Sequence, residues 1–162
     1  MSGSTENAAS SAFENPSGRD TILTLPTANR MLVLVRRVIT DLLTDKRRLD
    51  ELYAEQEELD RNRRTLNWPQ RRRRYQVHEE VAMVEQHVQD SLAELEVLGV
   101  VLIHPTEGQV GFPTLVNNRP AFFSWKPGEE GLHFWHFAGE KARRPIPASW
   151  LKLTETQFVK KK

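Results

Sequence analysis

The sequence predicts an α+β fold: a long antiparallel two-helix coiled-coil hairpin followed by a small, mostly antiparallel β-sheet. Three observations carry this expectation. Apolar residues recur at heptad spacing from Ala28 to Leu66 and again from Val77 to Leu98. The segment Asn67-Trp68-Pro69-Gln70 between those runs has the composition of a turn. Beyond Gly99 the helical period gives way to short β-branched and aromatic runs broken by Pro and Gly.

Taken in order, residues 1–20 are rich in Ser, Asn, Gly and Ala and are expected to form a disordered tail. Thr21 to Leu25 is expected to be a short strand or extended lead-in that Pro26 ends, with Thr27 as helix N-cap. In the first helix one heptad set is Ala28, Val35, Leu42 and Leu49. The other is Met31, Val38, Leu52, Leu59 and Leu66, with Asp45, Gln56 and Arg63 as polar exceptions. Its early turns are apolar on more than one stripe and its later turns on a narrow seam, so burial should narrow along the helix.

The second helix carries Val77, Val81, Val84, Val88, Ser91, Leu95 and Leu98, with Pro69 suited to its first position and Gly99 to its stop. Short connections make such helices antiparallel neighbours. Pairing outward from the turn covers roughly Arg36 to Thr65 and leaves Met31 to Val35 to be covered by the β region. The expected division is a hairpin over 21–99 with its turn near 66–70, a β region over 100–155 packed on the hairpin base, and a basic frayed end over 156–162. Within the β region the expected strands are Val100 to Ile103, Gln109 to Phe112, Ala121 to Lys126 and Leu132 to Phe137, with an edge piece from Ile146 to Leu153.

Composition excludes several kinds of chemistry. The 162 residues contain no cysteine, so disulfides, thiolate zinc sites and cysteine nucleophiles are ruled out. The N-terminal residues have neither the basic nor the apolar stretch of a secretory signal. The longest apolar run is far below the ~20 residues a membrane helix needs, so a cytoplasmic address without membrane contact is expected.

The net charge of +1 conceals segregation: Asp50 to Asp60 holds six acids, Arg61 to Arg74 seven arginines and no acid, and Glu79 to Glu96 six acids without Lys or Arg. A basic island in a near-neutral chain is a candidate surface for an anionic partner.

The segments Leu25 to Leu32, Gly108-Gln109-Val110-Gly111-Phe112-Pro113, Trp125-Lys126 with Gly128-Glu129, Trp135-His136 and Arg143-Arg144-Pro145-Ile146 resemble an uncharacterised bacterial family, domain of unknown function 2203. The likeness covers most of residues 21–146. Relatives usually carry an acid after the Trp-His pair and a slightly longer loop before the Arg-Pro motif; here Phe137 follows His136 and the loop is short. The resemblance implies no substrate, cofactor or reaction.

Two places are candidate sites. At the hairpin tip Arg61, Arg63, Arg64, Arg71, Arg72, Arg73 and Arg74 flank Trp68. Arginine grips phosphate at two points and an exposed tryptophan stacks on a base, so RNA or DNA is a candidate partner. The plainer reading is a solvated arginine surface paired with neighbouring acids such as Glu57, Glu58, Glu79 and Glu80. In the β region Trp125, Trp135, His136, Arg143 and Arg144 are candidates for a cleft, with Arg119 a further charged neighbour; the plainer reading makes the aromatics core.

Strand alternation puts His133 and His136 on opposite faces, so they do not converge on a metal; His104 and His136 are the better-placed pair, and no metal site is assigned. No nucleophile–base–orienter set is present, so no catalytic residue and no cofactor is assigned. The favoured expectation is an interaction protein binding a protein partner, a second copy through the coiled coil, or RNA. The alternative is a ligand- or metal-binding protein or enzyme using a cleft around His136 and Arg143 or Arg144.

Overall fold

A computed structural model describes residues 22–152. They adopt the α+β layout, two helices packed against each other followed by a five-stranded antiparallel sheet. The tails expected over 1–20 and 156–162 lie outside the described residues. The described residues divide into two compact units: those through Arg36 join those from Glu96 onward, and Arg37–Leu95 form the other.

Helix α1 spans Leu25–Arg61. Its cap is Thr24, whose hydroxyl accepts the Thr27 N–H at 3.3 Å, rather than Thr27 itself. Pro26 therefore sits inside the first turn, where a missing N–H breaks no helical bond, instead of ending a strand. Thr21 lies outside the described residues, and 22–24 form no strand. The Leu23 N–H nevertheless reaches the Pro113 carbonyl at 2.8 Å. Leu25, Ala28, Leu32 and Val35 are buried. They fall within the sheet-containing unit, whose boundary coincides with the end of the turns that the sequence left without a helical partner. There Arg36 donates to the Glu130 carbonyl at 2.6 Å and lies 5.8 Å from the Trp125 ring centroid.

In the second unit, Val38, Ile39, Leu42, Leu49 and Leu52 of α1 are buried. So are Val77, Val81, Val84, Val88 and Leu95 of helix α2, Trp68–Val97. The heptad seam is thus largely covered within one chain. The connection between the helices covers 62–67, a few residues earlier than the Trp-Pro segment suggested. Asn67 is the N-cap: its side chain accepts the Gln70 N–H at 3.0 Å while the Gln70 side chain accepts the Asn67 N–H at 3.0 Å. This reciprocal capping box puts Trp68 at the first helical position and Pro69 at the second. Gly99, with φ of 77°, ends the helical region as expected.

The sheet runs β1 Val101–His104, β2 Gln109–Val116, β3 Arg119–Trp125, β4 Phe134–Phe137 and β5 Arg144–Pro145, in that spatial order. A 3-10 turn, Ala148–Lys152, occupies the place of the expected edge piece. β2 continues past Phe112 to a two-residue turn at Asn117-Asn118, where φ is 50° and 63°. Asparagine tolerates that left-handed backbone, and two such residues match the twist of a hairpin. Pro113 sits within β2 without breaking the sheet. Its carbonyl points to the edge where Leu23 lies, so the N–H it lacks would face that edge rather than β3.

Register fixes the two faces. Gly111, Ser124 and Phe134 lie across from one another, as do Pro113, Phe122 and His136. The opposite face carries Val110 with Trp125, Phe112 with Phe123 and Trp135, and Ala121 with Phe137.

Candidate functional site

The hairpin tip is a short, heavily hydrogen-bonded corner. Thr65 donates its N–H to the Asn62 carbonyl at 2.9 Å, and Arg71 Nε donates to the Leu66 carbonyl at 3.1 Å. Leu66 is buried, so the corner has an apolar anchor as well as its capping box. Trp68 projects from this corner 73% exposed. A large aromatic so exposed on a braced turn buries little of its surface at the tip.

The sequence-predicted arginines separate into two groups. Arg73 binds both Glu55 carboxylate oxygens and reaches Glu80 at 3.0 Å, which in turn accepts from Arg48 at 2.9 Å. Arg74 binds Asp60 at 2.7 Å and Arg61 binds Glu57 at 3.2 Å. The Arg73 hydrogen bond holds Glu55 below the usual carboxylate range, and those from Arg74 and His78 do the same for Asp60. The Arg73 and Arg74 pairs tie the two helices together. Arg63, Arg64, Arg71 and Arg72 are exposed and have no carboxylate partner among the described residues. The self-paired reading therefore describes only Arg61, Arg73 and Arg74.

One tip residue went unread in the sequence. Tyr75 is 71% exposed and lies seven residues, two helical turns, after Trp68. At 3.6 residues per turn Trp68, Arg72 and Tyr75 share the side of α2 facing away from the Val77–Val84 seam. The seven-residue spacing of two aromatics with arginine between them was the available signal.

The β-region candidates do not gather in one place. Trp125 and Trp135 are buried on one sheet face and His136 on the other. Arg144 lies 5.2 Å from the Trp135 ring centroid and pairs with Glu140 at 3.2 Å. Arg143 stacks 4.4 Å from the Phe134 ring centroid, on the His136 face.

Arg143 is also fully engaged. It meets Glu129 at 2.6 and 2.9 Å, the Ser124 hydroxyl at 3.1 Å and the Ser124 carbonyl at 3.1 Å. Gln109 completes the cluster by donating to the Ser124 hydroxyl at 3.0 Å. Burial would raise the Glu129 carboxyl, but the Arg143 hydrogen bonds and the Lys126 N–H outweigh it and hold the group low. Nothing in the sequence marks Gln109, Ser124 and Glu129 as site residues. They are polar positions at strand ends and in a turn, with no periodic signal.

His136 is only 2% exposed. Its Nδ1 donates to the Phe137 carbonyl at 2.9 Å, while buried Nε2 has no hydrogen-bond partner among the described residues. His104 and His133 are exposed. Among the described residues no group of three or more His, Asp or Glu is placed to hold a metal ion. No helix among them is long and apolar enough to cross a membrane. In the hairpin unit Asp41, Asp45, His87 and Asp90 line a shallow groove of about 360 Å³.

A family model described as "Uncharacterized conserved protein (DUF2203)" matches residues 21–146. No curated protein and no solved structure matches.

Proposed function

The chain belongs to the DUF2203 family of uncharacterised conserved proteins, and we propose that it acts as a non-enzymatic interaction protein that holds nucleic acid at the tip of its helical hairpin. One observation carries this reading. A capped turn presents Trp68 to solvent beside arginines that no carboxylate among the described residues neutralises. Guanidinium groups bind phosphate at two points, and backbone phosphates supply most of the affinity in nucleic-acid binding.

The ion pairs of Arg73 and Arg74 support the same reading from the other side. They brace the turn, so that binding need not order it first. A catalytic reading has no comparable support, because Arg143 already satisfies Glu129 and Ser124 and the two tryptophans are buried away from His136.

The test is binding of labelled RNA and DNA across a salt series, for the wild-type chain and for Arg63→Ala/Arg64→Ala/Arg72→Ala. The wild type should bind at low salt and weaken steeply as salt rises. The triple variant should bind less tightly, and its salt slope should be shallower by roughly one unit for each phosphate it no longer neutralises. Equal binding by both proteins, or none by the wild type at low salt, rejects the reading.

A further inference from the structure

We infer that the nucleic acid taken by the tip is single-stranded, with bases stacked on Trp68 and Tyr75 and a phosphate held by Arg72 between them; this rests on the tip reading above. Trp68 and Tyr75 are 73% and 71% exposed on the same side of α2. Seven residues of helix separate them by ~10.5 Å along its axis. Arg72 lies between them in the chain and on the same side, exposed and without an ion pair among the described residues. Aromatic, cation, aromatic along one helix edge alternates as base and phosphate alternate along an extended strand.

Strandedness follows from what each surface can touch. An aromatic ring stacks only on a base whose flat face is open, and a duplex keeps those faces against neighbouring base pairs. Duplex grooves are read instead by hydrogen bonds from arginine, lysine, asparagine and glutamine to base edges. Two protruding aromatics on one helix flank suit the first kind of ligand. Arg63, Arg64 and Arg71 extend the positive field around the Trp68 end. Glu79, the next residue on the same side after Tyr75, is exposed and has no ion pair among the described residues. Its charge repels phosphate and limits the track to a few nucleotides.

Fluorescence anisotropy with labelled oligo(U), with the matching oligo(A)·oligo(U) duplex, and sedimentation with anionic lipid vesicles test the inference. The proteins are the wild type, Trp68→Ala, Trp68→Phe, Tyr75→Ala and the arginine triple variant. Expected are a preference of the wild type for the single strand, a loss of about tenfold for each alanine variant, and near-normal binding by Trp68→Phe. Oligo(U) should quench tryptophan emission in the wild type and much less in Trp68→Phe, because Trp125 and Trp135 are buried, Trp150 is half-buried and Trp68 is exposed.

If the alanine variants bind oligo(U) as the wild type does while the triple variant does not, stacking is wrong and the tip reading stands. Equal wild-type affinity for duplex and single strand has the same meaning. If the wild type binds neither nucleic acid, or binds only vesicles, both readings fall.

Discussion

Arg143 and Glu129 meet in a two-point ion pair, at 2.6 and 2.9 Å, with their side chains 16% and 19% exposed. Glu129 belongs to the turn after β3 and Arg143 to the segment leading into β5. The pair therefore joins two stretches of chain on either side of β4. The turn is fixed at both ends: Glu129 accepts the Lys126 N–H at 2.7 Å, and its carbonyl accepts Trp125 Nε1–H at 2.9 Å. Trp125, Lys126, Glu129 and Arg143, all among the residues that carry the family likeness, thus form one clasp. Its chemistry is structural, since the Glu129 and Arg143 charges are satisfied inside the fold.

Removing Arg143 should destabilise the sheet-containing unit. Arg143→Ala leaves a half-buried carboxylate without its ion pair and a stacked phenylalanine without its cation, while the Ser124 hydroxyl keeps only its bond from Gln109. Loss of one member of a buried pair costs about 3–5 kcal/mol. Partial solvation here reduces the expected loss to roughly 2–3 kcal/mol. Arg143→Lys should recover only part of it, because an ammonium cannot meet both Glu129 oxygens in a planar fork. Urea unfolding of the two variants checks this; a loss below about 1 kcal/mol for Arg143→Ala would mean that the clasp contributes little.

The same pair sets an acid limit. Glu129 is more acidic folded than unfolded, so its stabilisation is complete above the ordinary glutamate range near pH 4.5. It is lost as pH falls through the lower folded value. Asp60 and Glu55, also held low by arginine hydrogen bonds, act in the same direction in the hairpin unit. The urea midpoint should fall on acidification below about pH 5. In Glu129→Gln it should start lower and fall less steeply. Parallel wild-type and Glu129→Gln profiles would remove Glu129 from the acid response.

The helices were legible because they leave a period in the sequence, and the sheet class because β-branched and aromatic runs end at Pro and Gly. Val77, Val81, Val84 and Val88 repeat every three or four residues whatever lies beside them. The strand Phe134–Phe137 falls inside the aromatic run Leu132 to Phe137, and its register puts Trp135 and Phe137 on one face and Phe134 and His136 on the other. What escaped were relationships set by single residues. Pro113 hid the second half of β2, since only the neighbouring chain shows that no ladder bond is needed there. Asn117-Asn118 carried a hairpin signal that the proline masked. The Arg143 partners were illegible because Ser124, Glu129 and Gln109 come together only when the sheet forms. The tip arginines were legible as a group, but their division into paired and unneutralised members depends on which helix faces meet.

Gly111 should be intolerant of any side chain. A Cβ built there lies 2.8 Å from Ile103 Cδ1 and 2.8 Å from Phe122 Cδ1. Both neighbours are side chains of adjacent strands, so relief requires moving a packed ring. Gly111→Ala should cost about 1–3 kcal/mol through overpacking. Trimming one obstacle in Gly111→Ala/Ile103→Val should restore part of that, with Phe122 still in the way. Chemical denaturation of the single and double variants measures both effects, and an unchanged midpoint in Gly111→Ala would refute the steric account.

At the hairpin tip, stability and partner binding should separate by residue. Asn67 satisfies helix N–H groups through the capping box with Gln70, so Asn67→Ala should cost about 1 kcal/mol. Trp68, Arg63, Arg64 and Arg72 project into solvent and make no ion pair among the described residues. Their replacement by alanine should change stability by less than about 0.5 kcal/mol each. Arg73→Ala is the internal contrast, because it breaks the bridges to Glu55 and Glu80 and should destabilise the hairpin measurably. Thermal unfolding followed by circular dichroism ranks these variants. The expected order is Trp68→Ala close to wild type, with Asn67→Ala and Arg73→Ala clearly below it. A Trp68→Ala loss as large as that of Asn67→Ala would show that the tryptophan holds the turn together, and would remove the reason for assigning it to a partner.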